Sequence, residues 1–449
     1  MYKCPTCGAG LIFDPKTQQL LCLSCRNQYD PEKVDDMKLD QAKEKIENNG
    51  NSYEAISYKC SHCGAELMTT DETITTFCSF CRTGTMLDRK VIEKRKPDYV
   101  IPFSITKEEC EQIYINKIKQ AFFAPKSMID TQEVKKIRGI YMPYWIYTFE
   151  KHGDDYTHGE RYNHRSGDYI YYDDYSLSTQ INAKCKGIAH DATSNFWDRL
   201  SEAIAPYSFG KKKTFSPAYL SGFYADNEDV AEGVYSEESQ KVAQRYANNE
   251  LSKDKEYRKY RAKPSVSMEK TNAELALFPV YYLATKNKTG DRISYAVING
   301  QTGKIAADIP IDFKKLIYTS LGLAIPIFIL LSFFFTFNMP AMIALSVIFN
   351  IISICTLLSQ NKKIIKRESE MNNGGTKHKL TSIYKPFIGL AITVIIFCIR
   401  PVSDIYYYAS ALLSIILSLW TFRDIINMHN RLTSIKLPGL GKRGGDENA

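Results

Sequence analysis

From Leu316 to Asn361 not one of 46 residues is charged. A helix needs about 20 predominantly apolar residues to cross a bilayer, so this run predicts two spans, 316–337 and 340–359. They reverse at "FNMP", where Asn338 and Pro340 favour a turn. Beyond a basic loop at 362–385, "PFIGLAITVIIFCI" and "IYYYASALLSIILSLWTF" predict two more spans, 384–401 and 405–422. The third run is short, and reaches both interfaces only with Tyr384 at one end and a snorkelling Arg400 at the other. The fourth carries Tyr406 to Tyr408 and Trp420 at its ends, as aromatic belts require. A buried soluble hairpin is the alternative for these two shorter runs. The expectation is a C-terminal α-helical transmembrane bundle of four helices over 313–425, followed by a basic and polar cytosolic tail, 426–449.

Ahead of residue 313 the patterning changes. Helical candidates are 105–122, 193–205 and 236–260, the first opening on Ser104 or Thr106 with Glu109 placed to complete a cap. Aromatic and β-branched residues dominate "RGIYMPYWIYTFE", "GDYIYYDDYSLST", "LALFPVYYLAT" and "RISYAVING", which predict strands. "NGQTGK" (299–304) reads as a Gly-bearing hairpin turn. The segment 91–312 is therefore an aromatic-rich α+β domain. "YMPYWIYTF" and "LFPVYYLAT" are alike enough to suggest two related halves.

The first 90 residues hold a repeat. Cys4, Cys7, Cys22 and Cys25 recur with the same spacing as Cys60, Cys63, Cys78 and Cys81, and "CPTCGAGL" aligns with "CSHCGAEL". Each unit alternates apolar and polar residues between its Cys-x-x-Cys pairs, which predicts two small β zinc ribbons, 1–30 and 57–90. Between them, 31–56 is charged, rich in helix formers and ends near Asn-Gly, reading as a helical linker.

Charge adds direction. The net charge of +8 is too mild to argue for nucleic acid. However, Lys314, Lys315, seven basic residues between Lys362 and Lys385, and Arg423, Arg431, Lys436, Lys442 and Arg443 all flank apolar runs on what would be one side. The positive-inside rule puts that side, and both termini, in the cytosol. The opening "MYKCPTCG" has no basic region followed by an apolar one, so no export signal is expected and the thiols should be reduced and metallated.

Zn²⁺ prefers four tetrahedral ligands and suits Cys thiolates. Gly8 and Gly64, directly after the second Cys of a pair, supply the positive φ of the turn. Two structural zinc ions are expected, one per ribbon. A rubredoxin-like iron site uses the same turn and is the competitor. Four Cys ligands leave no open position, which excludes a catalytic zinc. His62 reads as a solvated turn residue. "HGDDYTHGERYNH", with His152, His158 and His164, reads as a polar loop joining two strands, a metal or hydrolase site being the alternative. "KDKEYRKYRAK" (253–263) reads as a solvated helix and "GKKKTF" (210–215) as a solvated basic stretch, a nucleic-acid or phospholipid surface being the alternative for both. No Gly-x-Ser-x-Gly, Walker-type or Rossmann loop is present, so no catalytic residue, small-molecule substrate or enzyme activity is expected.

The ribbons, followed by "IPFSITKEEC", "RGIYMPYWIY", "TFSPAYLSGFYAD", "LFPVYYLATK" and "NGQTGKIAADIP" and then apolar spans, resemble the bacterial TFIIB-type zinc-ribbon membrane proteins of the YdjG type, sometimes labelled replication helicases on the ribbons alone. The resemblance covers nearly the whole chain. It implies a multi-pass cell-membrane protein whose cytosolic part recruits protein partners, in phage-shock-type or SPFH (flotillin-like) membrane-stress systems. The expected function is a membrane-anchored adaptor or scaffold. The alternative is a membrane-tethered nucleic-acid binder, but neither ribbon carries the continuous basic face that phosphates call for.

Overall fold

The computed structural model describes residues 2–34, 52–69, 77–84, 88–194, 196, 198–287, 292–333, 338–371 and 383–436. Most of the linker expected at 31–56 lies outside the described residues. Strands β1 (Leu11–Asp14), β2 (Gln19–Cys22) and β3 (Gln28–Tyr29) form a small antiparallel sheet. Among the described residues, one large sheet of twelve strands takes up the rest. In chain order these are β4 (Ser52–Lys59), β5 (Glu66–Thr69), β6 (Asp88–Arg95), β7 (Tyr99–Val100), β8 (Arg138–Ser166) and β9 (Tyr169–Asp191). There follow β10 (Lys213–Thr214), β11 (Tyr224–Asp226), β12 (Glu269–Lys286), β13 (Arg292–Asn299), β14 (Ile305–Ala307) and β15 (Ile435–Lys436). Helices α1 (Lys107–Gln120), α2 (Asp198–Ile204) and α3 (Ser236–Leu251) accompany it. Four apolar helices follow: α4 (Phe313–Ser332), α5 (Met339–Met371), α6 (Tyr384–Ile399) and α7 (Ile405–Leu432).

The two look-alike motifs are the two central strands, and they pair with each other. β8 and β12 run antiparallel, with Pro143 opposite Leu277 and Pro279 opposite Tyr141. Proline lacks the N–H of a ladder bond and is normally confined to edges. Here each one stands where its strand changes outer neighbour. β8 pairs with β11 at Ile140 and Tyr141 and with β9 from Tyr144 onward. β12 pairs with β7 at Ala276 and Leu277 and with β13 from Val280 onward. No ladder bond is lost, while the proline carbonyls accept from Ala192 N–H (2.8 Å) and Gly300 N–H (2.8 Å). Both faces of this pair are buried, which is why the motifs read as continuous apolar runs.

Helix α1 starts as its sequence suggests. Thr106 Oγ1 accepts from Glu109 N–H (3.3 Å) and Glu109 accepts from Thr106 N–H (2.9 Å). The turn at 299–304 joins β13 to β14, with Asn299 Oδ1 accepting from the Gln301 and Thr302 N–H groups. The 236–260 candidate breaks after Leu251, where Asp254 caps a separate short helix, Lys255–Lys259. Within the 193–205 candidate the described helix is Asp198–Ile204.

One expectation is overturned here. "HGDDYTHGERYNH" is not a loop: β8 continues through it to Ser166 and pairs with β9 down to Tyr169. Past Glu150 the two strands form an exposed arm about 50 Å long at ~3.3 Å per residue.

At the C-terminal end, α4, α5 and α7 are long and apolar enough to cross a membrane, whereas α6, at 16 residues, is shorter. This departs from the expected four spans. α5, α6 and α7 interlock through a polar seam: Thr393 Oγ1 lies 3.3 Å from Ser414 Oγ, and a Cβ at Gly389 would stand 2.6 Å from Asn350 Oδ1. Small and polar residues are how helices approach closely in lipid. α7 also runs to Leu432, and β15 then pairs with β13, so the expected free tail from 426 is ordered structure as far as Lys436.

Gly300 is held against the core, where an added Cβ would meet the Phe103 ring at 2.5 Å and Pro279 Cβ at 2.9 Å. Gly300→Ala is therefore expected to cost about 1–3 kcal/mol by overpacking. The melting temperature of the full chain in detergent checks this, and an unchanged value would show that the Phe103 ring yields freely.

Candidate metal centres

The eight clustered cysteines come together in two groups. Cys4, Cys7, Cys22 and Cys25 form one and Cys60, Cys63, Cys78 and Cys81 the other, with the sulfurs of each group within 4.8 Å of one another. Nearest pairs are Cys4–Cys25 and Cys7–Cys22, both 3.5 Å, then Cys60–Cys81 at 3.6 Å and Cys63–Cys78 at 3.7 Å. Disulfide sulfurs would stand at about 2.05 Å. Four thiolates about 2.3 Å from a tetrahedral ion stand about 3.8 Å apart, so the donor set and its spacing fit such a cation.

The same backbone turn presents each pair. The carbonyls of Cys4, Cys22, Cys60 and Cys78 accept from the N–H of Gly8 (2.8 Å), Arg26 (2.9 Å), Gly64 (2.9 Å) and Arg82 (2.9 Å). All four donors lie in the left-handed region, with φ of +73°, +61°, +77° and +58°. Glycine adopts that conformation freely, whereas an L side chain there costs roughly 1–2 kcal/mol. The two arginines are therefore held by their surroundings. "CLSCRN" and "CSFCRT" put Arg at the same place, a signal readable in the sequence that the search for glycine passes over.

Electrostatics separate the thiols. Burial pushes the Cys4 thiol up, but the Tyr29 hydroxyl, 3.3 Å from its sulfur, and the N–H groups of Cys7 and Thr6 outweigh it and bring it down to about 6. At Cys25 the Asn27 N–H pulls down, yet burial and the three neighbouring sulfurs push it up to about 12. Four thiolates cannot collect here without a cation to offset their repulsion. Tyr29 was not singled out in the sequence, and nothing in its spacing marks it.

The two centres differ in how they join the protein. The first sits on the small sheet, which docks by Phe13 N–H to Ser221 O (3.0 Å), Gln18 Nε2 to Phe103 O (2.7 Å) and Phe13 packing edge-on to Tyr219 (5.2 Å). Its rim stays open: Cys7 is exposed and Leu23 is 68% exposed. The second is welded into the large sheet, β5 pairing with β11 and β4 with β5 and β6. Its last turn plugs the end of β12. Phe80 packs on Tyr282 (5.1 Å), Tyr295 Oη donates to Phe80 O (3.1 Å), and half-buried Arg82 donates to Ala284 O (3.0 Å) while pairing with Glu133. That guanidinium holds Glu133 below the usual carboxylate range.

His62 is exposed at the rim, as expected of a turn residue. His152, His158 and His164 lie on β8 six residues apart, hence about 20 Å between neighbours, and cannot share an ion. In 253–263, Tyr257 is buried and Arg261 donates to Tyr172 Oη (3.2 Å), bracing the arm.

We expect the purified full chain to hold two metal equivalents, and Cys4→Ser and Cys60→Ser each to lose one. Cys60→Ser should lower the melting temperature more, because the second centre is part of the main sheet. Metal analysis with thermal melting measures both, and a single equivalent in the parent chain would refute the two-centre reading.

No family model matches the chain, and no solved structure matches it. It is 29% identical over 328 residues to the uncharacterized protein YdjG of Bacillus subtilis (strain 168), an alignment covering 72% of this chain and 94% of that one. Its likeness to YdjG over most of its length is what the comparisons establish about its kinship.

Proposed function

We propose that this protein is a membrane-anchored scaffold, stapled by two structural zinc ions, that presents a β-arm to protein partners on the cytosolic side of a bacterial membrane. The observation that carries the reading is mechanical continuity from helix to arm. β15, directly after α7, pairs with β13, β13 with β12, and β12 with β8, whose far half is the arm. Asn430 of α7 also exchanges two hydrogen bonds with the Ile311 backbone ahead of α4 (2.7 and 2.9 Å). Such a frame fixes the height and direction of the arm above the bilayer.

The arm end is dressed for contact. Tyr162, Tyr169, Ile170 and Tyr171 are exposed around the 167–168 turn, Tyr169 at 74%, and His164 stacks on Tyr171 at 4.6 Å. Aromatic side chains offer large contact area at low entropic cost, and Tyr is enriched at protein interfaces. Zinc is favoured over iron because neither closed Cys₄ centre is asked to do chemistry. By resemblance, the partners are proteins of SPFH or phage-shock type.

Nucleic acid is the weaker reading. The second metal hairpin commits Cys60, Leu67, Phe80 and Cys81 to one hydrophobic core, and the first buries Leu11, Phe13 and Leu20 in the same core as Tyr141 and Tyr281.

Replacing Tyr162, Tyr169, Ile170 and Tyr171 together by Ser should abolish co-purification of an SPFH- or phage-shock-type protein from detergent extracts. Metal content and melting temperature should stay within the scatter of the parent. Equal recovery of such a partner by the serine variant would sink the arm as its docking site.

A further inference from the structure

At the foot of the helices, beside the Asn430–Ile311 bonds of the frame, is a cavity of ≈ 500 Å³. Sheet residues Lys286 and Arg292 line one side, and Asn427 and Arg431 of the last turns of α7, with Asp312 and Phe313 at the start of α4, line the other. It therefore lies where the first and last apolar helices meet the β-domain. Phe122 marks the same level: it is 60% exposed beside Lys315 in the first turn of α4, whose ammonium lies 5.6 Å from its ring, and Asp312 N–H donates to Phe123 O (2.8 Å). An exposed aromatic next to a lysine at a helix start is an interfacial anchor.

Among the described residues the charge of the lining is one-sided. Lys286, Arg292 and Arg431 stand there with one carboxylate, Asp312, whose Oδ1 accepts from the Lys314 and Lys315 N–H groups and caps α4. Arg292 is held in place by its bonds to Ser434 Oγ (2.8 Å), Ser434 O (2.6 Å) and Arg431 O (3.0 Å), which pre-orients a guanidinium at the wall. Fixed cations beside an apolar floor at headgroup depth match a phosphodiester with its acyl chains nearby, and cationic pockets between helices on the cytoplasmic side are where anionic headgroups settle.

We propose that this cavity binds the phosphate headgroup of an anionic phospholipid, fastening the β-domain to the inner leaflet. The inference rests on the reading of α4, α5 and α7 as membrane spans.

The test uses the full chain in nanodiscs of phosphatidylcholine with increasing phosphatidylglycerol, read by thermal melting. Phosphatidylglycerol should raise the melting temperature of the parent. Lys286→Gln and Arg431→Gln, both at exposed positions, should each raise the lipid content for half-maximal stabilisation roughly fivefold, since a cation near the surface contributes about that factor. Lys253→Gln, away from the cavity, should behave as the parent. Equal titrations for all variants would overturn the proposal, because attraction would then be diffuse. So would an equal stabilisation by inorganic phosphate in pure phosphatidylcholine, which would make the ligand a free anion. A chain that stays in solution without detergent or lipid would instead defeat the membrane reading, a result distinct from a membrane-embedded chain without lipid preference.

Discussion

Everything in this protein hangs on the antiparallel pairing of β8 with β12. Each strand has one outer edge, and each splits that edge between two neighbours at a proline that needs no ladder partner there. β7 and β13 attach to β12, β11 and β9 to β8, and from these four the rest follows. β11 brings in the second cysteine hairpin, β9 builds the arm, and β13 reaches the last helix. Slipping β12 by one residue against β8 would turn Phe278 and Tyr281 to the opposite faces, away from the partners that bury them.

The two cysteine groups that could hold metal consequently serve unequal ends. The first is a rigid cap resting on the core through Leu11, Phe13 and Leu20, and it leaves its knuckles to solvent. The second is a rivet in the sheet, where the arginine of its left-handed turn crosses to Glu133 and to the end of β12. The strain of that turn is tolerated because each hydrogen bond that satisfies the half-buried Arg82 guanidinium also holds the turn in its unfavourable conformation.

At the opposite end the sheet meets the helices through β15 and the Asn430–Ile311 bonds. Lys385, at the start of α6, pairs with Asp424 of α7 at 2.5 Å and lies 4.4 Å from the Trp420 ring, so the short helix is anchored at one end by charge and along its length by the Gly389–Asn350 contact. Arg292, Ser434 and the Asn430–Ile311 bonds then tie α7 to the β-domain. A pull on the arm would pass to the helices through backbone hydrogen bonds.

Local chemistry was legible along the chain. Eight cysteines at repeated spacing, the capped start of α1, the turn at 299–304 and the uncharged run beginning at Leu316 each reflect constraints that act within a few residues: ligand reach, backbone capping, turn geometry and the need for apolar length. Pairing partners were not legible, because a strand's neighbours lie up to hundreds of residues away and leave no local mark. So the likeness of "YMPYWIYTF" and "LFPVYYLAT" hinted at kinship, but only the fold made them mates. Likewise the His-rich stretch has loop composition and becomes strand because β9 supplies the ladder, and the residues after 426 look like a tail and become a strap because β13 has a free edge to pair. What the sequence determined by itself is which residues could ligate, cap, turn or enter lipid; what tertiary structure decided is which of them meet, since that depends on long-range burial and hydrogen bonding rather than on spacing.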